Sequence, residues 1–402
     1  MNRLQSFNLS SDLVSKTKTA LLVLGVLGWI GTIAGWFLSP GQFYFSYLVA
    51  FVYFLSLSIG AIFFVMVQHL TGAGWSVVVR RLAETVMTNI WILIPLFIPI
   101  VVGILSHSQA THLFYEWRDA DLVANDELLK AKKGYLNTTF FLIRAVIYFV
   151  IWGFFSWKLY RTSIAQDADG NPNWTRTAAK WSAPGVPLLI LSATFAAFDW
   201  LMSLVPHWYS TIFGFYFFSG SGVAFIALLI VLAVWLRSKG VLADIITIEH
   251  YHDLGKLLFA FNVFWTYIAF SQYFLIWYAN LPEETFWFRD RQVGSWLFVS
   301  LLVLFGHFIL PFIALIGRAP KRNPSFLVVV ALWMLFMQYV DLYWIAMPVL
   351  HKGGVSPHWL DIATWLAIGG TVGFVFLSRL AKHSIIPVRD PYLGESLEFE
   401  NA

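Results

Sequence analysis

Two aspartates stand inside apolar stretches of this chain. Asp199 lies in Phe198-Asp199-Trp200-Leu201-Met202-Ser203-Leu204-Val205-Pro206, and Asp341 in Val340-Asp341-Leu342-Tyr343-Trp344-Ile345-Ala346-Met347-Pro348. Each precedes a proline by seven residues in an aromatic-rich segment. A charged carboxyl in hydrocarbon costs about 2.5 kcal/mol or more, so such a group is by default a functional candidate: a proton carrier or the partner of a buried cation. Its recurrence suggests a duplicated unit that keeps one buried acid in each half.

Other groups fall at related depths. Arg144 lies about two helical turns inside its apolar run. At 1.5 Å per residue, Asp199 and Asp341 lie about 10 Å from their prolines. Arg144 is the natural partner of Asp199, either as an ion pair that fixes geometry or as a cation beside a proton acceptor. Asp341 has no evident cation in its own half, which favours a protonatable role. His307 is the one histidine near mid-depth, a hydrogen-bonded structural group or a relay. A haem held by two histidines needs a facing partner. The others fall at one edge (His69, His250, His252, His383) or the other (His107, His112, His207, His351, His358). Gln68, His69 and Glu84, with Glu249, His250, His252 and Asp253, form a polar edge at equivalent places in the two halves. They read either as capping and solvation or as the mouth of a proton path past His307 to the aspartates. Ordered water, or hydroxyls such as Ser56, Ser58, Tyr267 and Tyr273, would have to bridge the gaps.

The elements that carry these groups follow from composition. Of 402 residues, 59% are hydrophobic and 12% charged, too few charges to cover a water-soluble body. The 20 Trp and 38 Phe suit lipid-facing and interfacial positions. The absence of cysteine excludes disulfides and thiolate metal sites. Ten apolar runs are long enough to span a bilayer: about 19–38, 43–68, 86–108, 136–159, 184–206, 210–236, 254–280, 292–317, 325–348 and 359–381. The first reads as an uncleaved anchor. Basic residues collect on one side, among them Arg3, Lys16, Arg80, Arg81, Lys158, Arg161, Arg237, Arg318, Lys321, Arg379 and Arg389. The other side holds Arg118, three lysines of 130–133, Arg289, Arg291 and Lys352. By the positive-inside rule both termini are cytoplasmic.

The expected fold is all-α and membrane-integral. A first helix occupies 1–42, one four-helix bundle 43–209, a second bundle of the same orientation 210–348, and a last helix and tail 349–402. Small-residue strips at Gly25, Gly28, Gly31 and Gly35 and at Gly369, Gly370 and Gly373 predict close helix contacts. Ser56–Gly60 echoes Ser219–Gly222. The charged loop 109–135 reads as a solvated connection or as a docking surface. Three motifs fail. Asp167–Pro172 lacks the glycine and glutamate of a calcium loop. Asn137-Thr138-Thr139 is better a helix cap than a glycosylation site. No glycine-rich phosphate loop with a lysine is present.

One helix, two four-helix bundles and a last helix resemble the polysulfide-reductase/nitrite-reductase superfamily of membrane anchors. Gly60-Ala61-Ile62-Phe63-Phe64, Phe198–Leu204 and Val340–Tyr343 are similar to the shorter membrane subunit of bacterial alternative complex III, a likeness that covers nearly the whole chain. The resemblance implies a subunit of a respiratory quinol:acceptor oxidoreductase in the bacterial inner membrane. Its partners would be a paralogous quinol-binding membrane subunit, an iron–sulfur subunit and multihaem cytochrome c subunits. Haem c, iron–sulfur clusters and quinol would belong to those partners, and this chain would be a scaffold and candidate proton route without a redox centre. The alternatives are a quinol site within this chain, or a free-standing secondary transporter.

Overall fold

The computed structural model describes residues 7–106 and 112–401; Arg3 and His107 lie outside the described residues. Ten helices are long and apolar enough to cross a membrane. They are α1 (Ser11–Leu38), α2 (Pro40–Leu70), α3 (Gly74–Leu105), α4 (Thr138–Asp169), α5 (Asn173–Leu204), α6 (Phe213–Ser238), α7 (Ile248–Ala279), α8 (Trp296–Ile316), α9 (Pro324–Val349) and α10 (Trp359–Leu380). No strand occurs among the described residues. The chain is an all-α, multi-pass membrane protein. The Ile385 N–H donates to the Phe7 carbonyl at 2.8 Å, so both described ends lie on one face, here called the basic face.

Several helices outrun their apolar segments at that face. α1 starts at Ser11, α3 at Gly74 and α7 at Ile248, while α4 continues to Asp169 and stops at Gly170 with φ 71°. Hydropathy locates the hydrocarbon slab, whereas capping residues end a helix; a left-handed glycine is such a stop. Arg80, Arg81, Lys158 and Arg161, expected in loops, are therefore helical.

α2 to α5 form one bundle and α6 to α9 a second. α2 and α6 pack on each other at the centre and are the most buried spans. α5 also packs on α6 and α9 on α2, the exchange expected for two like-oriented bundles about an axis along the membrane normal. The α2–α6 contact uses the echoed small residues: a side chain at Gly60 would collide with the Ser221 carbonyl and Phe225. α1 and α10 lie together beside the pair, with Gly28 against the backbone of Leu366 and Ala367 and Gly370 against that of Gly25. Leucine at Gly28 must push these helices apart. Gly28→Leu should cost about 1–3 kcal/mol or more, read as a lower melting temperature in detergent. Gly134→Ala, facing open space, should melt like the parent.

Two spans are irregular. α3 breaks at 88–89 and at Phe97, and Pro95 and Pro99 each withdraw a backbone donor there. Arg379 of α10 donates to the Thr88 carbonyl freed by the first break. α8 contains a π-helical stretch, Val303–Ile309, just before Pro311. Trp333 Nε1 takes the Gly306 carbonyl at 2.7 Å, and Asn262 Nδ2 lies 3.4 Å from that of Phe308. Such stretches occur often at functional sites. This one surrounds His307.

The segment after α10 is not a free tail. Asp390 pairs with buried Arg80. Ser396 Oγ donates to the Trp75 carbonyl, and the Ser396 carbonyl lies 3.0 Å from His250 Nε2. Asn401 reaches Glu249. The segment thus ties the first bundle to the second across the basic face. Asp390→Asn removes one charge-assisted bond of about 1.5–3 kcal/mol. Tryptic cleavage at exposed Arg389 should then quicken at least about tenfold, because cleavage follows the population of the open form.

Candidate functional site

In the first bundle Arg144 of α4 and Asp199 of α5 form a two-pronged pair. Arg144 Nε donates to Oδ2 at 2.8 Å and a terminal nitrogen to Oδ1 at 2.9 Å. Tyr148 Oη donates to Oδ2 at 2.7 Å. Asp199 is fully buried. The guanidinium also donates to the Tyr135 carbonyl at 2.9 Å and lies 3.8 Å from the Tyr135 ring centre. Every nitrogen of the Arg144 fork thus bonds an oxygen, and the carboxylate faces three donors. Paired forks of this kind are the strong ones.

The loop from α3 to α4 closes over this pair. It contains the short helices Ala120–Asn125 and Glu127–Lys132. Phe114, Tyr115 and Trp117 insert into the bundle rather than into solvent. Tyr115 Oη donates to the Trp200 carbonyl at 2.8 Å, and Trp117 Nε1 to Ser203 Oγ at 3.1 Å. Burial pushes the Tyr115 phenol well above its usual range, so it stays a donor. Tyr115 holds φ 64°, uncommon for a bulky residue, and these contacts keep it there. Asp126 joins the loop to His207 at 2.6 Å. The Leu129 backbone N–H, then His207, hold the Asp126 carboxyl below the usual range.

The second bundle keeps the acid and changes the partner. Asp341 of α9 is buried, and among the described residues its side chain accepts one hydrogen bond, from Tyr216 Oη of α6. Arg291, counted as a surface charge in the sequence, is buried nearby, yet its bonds go elsewhere. It donates to the carbonyls of Trp287 (2.8 Å), Trp344 (3.1 Å) and Ile345 (2.6 Å), with its guanidinium 3.3 Å from the Trp287 ring centre. The sequence offered no sign of this; an arginine beside Asp290 and Gln292 reads as loop.

From Asp341 toward the basic face runs a column of buried polar side chains. Gln338 lies one turn along α9, His307 on the π-helical stretch of α8, and Asn262 on α7. Both His307 ring nitrogens, Gln338 Oε1 and Asn262 Oδ1 lack a protein partner. The His307 ring centre is 3.8 Å from that of Trp265, which is 5.5 Å from Tyr216. Buried polar atoms are normally satisfied by protein or by ordered water, and four such atoms in one bundle core make a place for water. The first bundle also has unpartnered buried atoms, at Trp200 Nε1 and Thr194 Oγ1, but neither group titrates near neutral pH. Of the hydroxyls considered from the sequence, Ser56 and Ser58 donate within α2, and Tyr267 faces outward.

The polar edge divides into separate groups. Glu84 bonds Arg80 at 3.3 Å and Arg81 at 2.8 Å, and Arg81 reaches Asp167 at 2.7 Å, nearly all of it buried. Glu249 pairs with Arg322, and Asp253 with Lys256 at 2.5 Å. His250 closes a capping box with Thr247 at the start of α7. His69 is buried with both nitrogens unpartnered, as is Nδ1 of His252. From Asn262 to Asp253 the rise along α7 is about 14 Å, which only water could cross. At the opposite face a pit of about 200 Å³ is lined by Glu116, Pro206, His207, Asp290, Arg291 and Lys352, above both aspartates.

No protein-family model and no curated protein matches this chain.

Proposed function

We propose that this chain is a non-redox membrane subunit of a respiratory quinol:electron-acceptor oxidoreductase of the alternative complex III type, and that its second bundle carries protons. The observation that supports the reading most is the difference between two equivalent acids. Asp199 is neutralised by a forked arginine, whereas Asp341 faces a tyrosine hydroxyl and a column of unpartnered polar atoms. A carboxylate locked to arginine resists protonation; one without a cation can gain and lose a proton. The first bundle is then the rigid half and the second the conducting half. Protons enter from the cytoplasmic basic face through water near His252, pass Asn262, His307 and Gln338, and leave from Asp341 toward the pit at the periplasmic face. Both termini are cytoplasmic, in a bacterial inner membrane. The partners are a quinol-binding paralogue, an iron–sulfur subunit and multihaem cytochromes c, which hold the redox groups.

Mild-detergent purification through a tag on this chain tests the assignment. The expected result is a stable assembly with haem c absorbance and acid-labile sulfide. A chain that purifies alone and stays monodisperse contradicts it and favours a free-standing transporter.

A further inference from the structure

A cavity of about 620 Å³ lies between α7 and α8, within the size range of small-molecule sites. Its rim includes Tyr267, Phe270 and Leu304, each half or more exposed at membrane depth, so its mouth faces lipid. Its inner wall includes Tyr216, Trp265, Gln272 and Trp344, all buried. Two of these bear donors. Trp265 is 2% exposed, and its Nε1–H has no partner. Gln272 accepts from Ser210 Oγ through Oε1 at 3.0 Å, which leaves its amide N–H groups to donate. A donor at membrane depth away from bulk water is costly unless it meets an acceptor. The cavity therefore suits a flat ring that stacks on aromatic walls and carries acceptors at two positions, with an apolar tail. An acyl chain satisfies neither donor.

We propose that this cavity binds a lipid-soluble para-quinone. Its carbonyls accept from Trp265 and Gln272, and its tail leaves between α7 and α8. The choice of ring follows from the donors in the wall and does not rest on the proposed respiratory role. The step proposed is binding alone.

The test uses the full-length chain in lipid nanodiscs, with whatever subunits accompany it, and a photoactivatable alkyl benzoquinone mapped by mass spectrometry. Labelling should fall on this chain within 263–273 or 297–312, and excess unlabelled alkyl benzoquinone should displace it. Trp265→Phe keeps the ring and removes the donor, and should weaken binding about tenfold. Ala269→Trp, which fills the cavity, should abolish it. Three results each overturn the proposal: labelling elsewhere, wild-type affinity in Trp265→Phe, or equal displacement by added phospholipid, which marks an acyl-chain groove. Labelling of α7 and α8 in a chain that purifies without haem partners leaves this site standing while the respiratory role fails.

Discussion

Asp341→Asn should lower the protons moved per electron by the reconstituted complex to the level its partner subunits reach alone, with assembly unchanged. Asparagine has nearly the volume of aspartate and still offers Tyr216 an oxygen, so the α6–α9 contact survives. It cannot carry a proton, and a positioned proton-transfer group contributes about 10²–10⁴-fold to the step it serves. Tyr216→Phe should show a milder form of the same loss, because it removes the one described hydrogen bond to the acid. Asp199→Asn should leave the proton ratio intact. Equal pumping by Asp341→Asn and the parent, measured with a pH-sensitive dye in sealed vesicles, ends the role given to the second bundle.

The second large effect concerns stability. Asp199→Asn strands the Arg144 guanidinium, which cannot deprotonate in a protein. Removing one partner of a buried pair costs about 3–5 kcal/mol. Arg144→Met should cost less, because Asp199 can take up a proton and keep its bond to Tyr148. The double variant Arg144→Met with Asp199→Asn should recover much of the loss, since neither charge is then left alone. Thermal unfolding in detergent ranks the three. If Asp199→Asn is the mildest, the pair does not lock the first bundle.

Much of this architecture was legible because hydrocarbon imposes a plain code. Ten apolar runs, a one-sided charge distribution and a repeated acid were enough to expect ten helices in two like-oriented bundles, and glycine strips pointed to the α1–α10 contact. Arg144 and Asp199 could be matched because they share a depth on consecutive helices. What stayed hidden depends on contacts distant in sequence. Arg291 reads as a loop charge until three carbonyls from Trp287, Trp344 and Ile345 surround it. Asp390 and Ser396 read as tail until they meet Arg80 and Trp75. The π-helical turn at His307 has only Pro311 as a local sign, and proline more often announces a kink. The Tyr216 donor to Asp341 joins residues 125 positions apart, and no spacing rule reaches that far.

The likeness between the halves also has a physical sense. A pair of similar bundles can divide labour if one acid is locked and the other left labile. The first bundle, closed by Phe114, Tyr115 and Trp117, has the packing of an anchor. The second has a lateral cavity, a π-helical turn and unpartnered polar atoms in its core.

Redox-triggered difference infrared spectroscopy on the intact complex tests that division most directly, because it reports the carbonyl stretch of a carboxylic acid as it gains or loses a proton. A carboxyl band that changes during turnover, vanishes in Asp341→Asn and persists in Asp199→Asn is the predicted result. A band that disappears with Asp199→Asn and survives Asp341→Asn would contradict it.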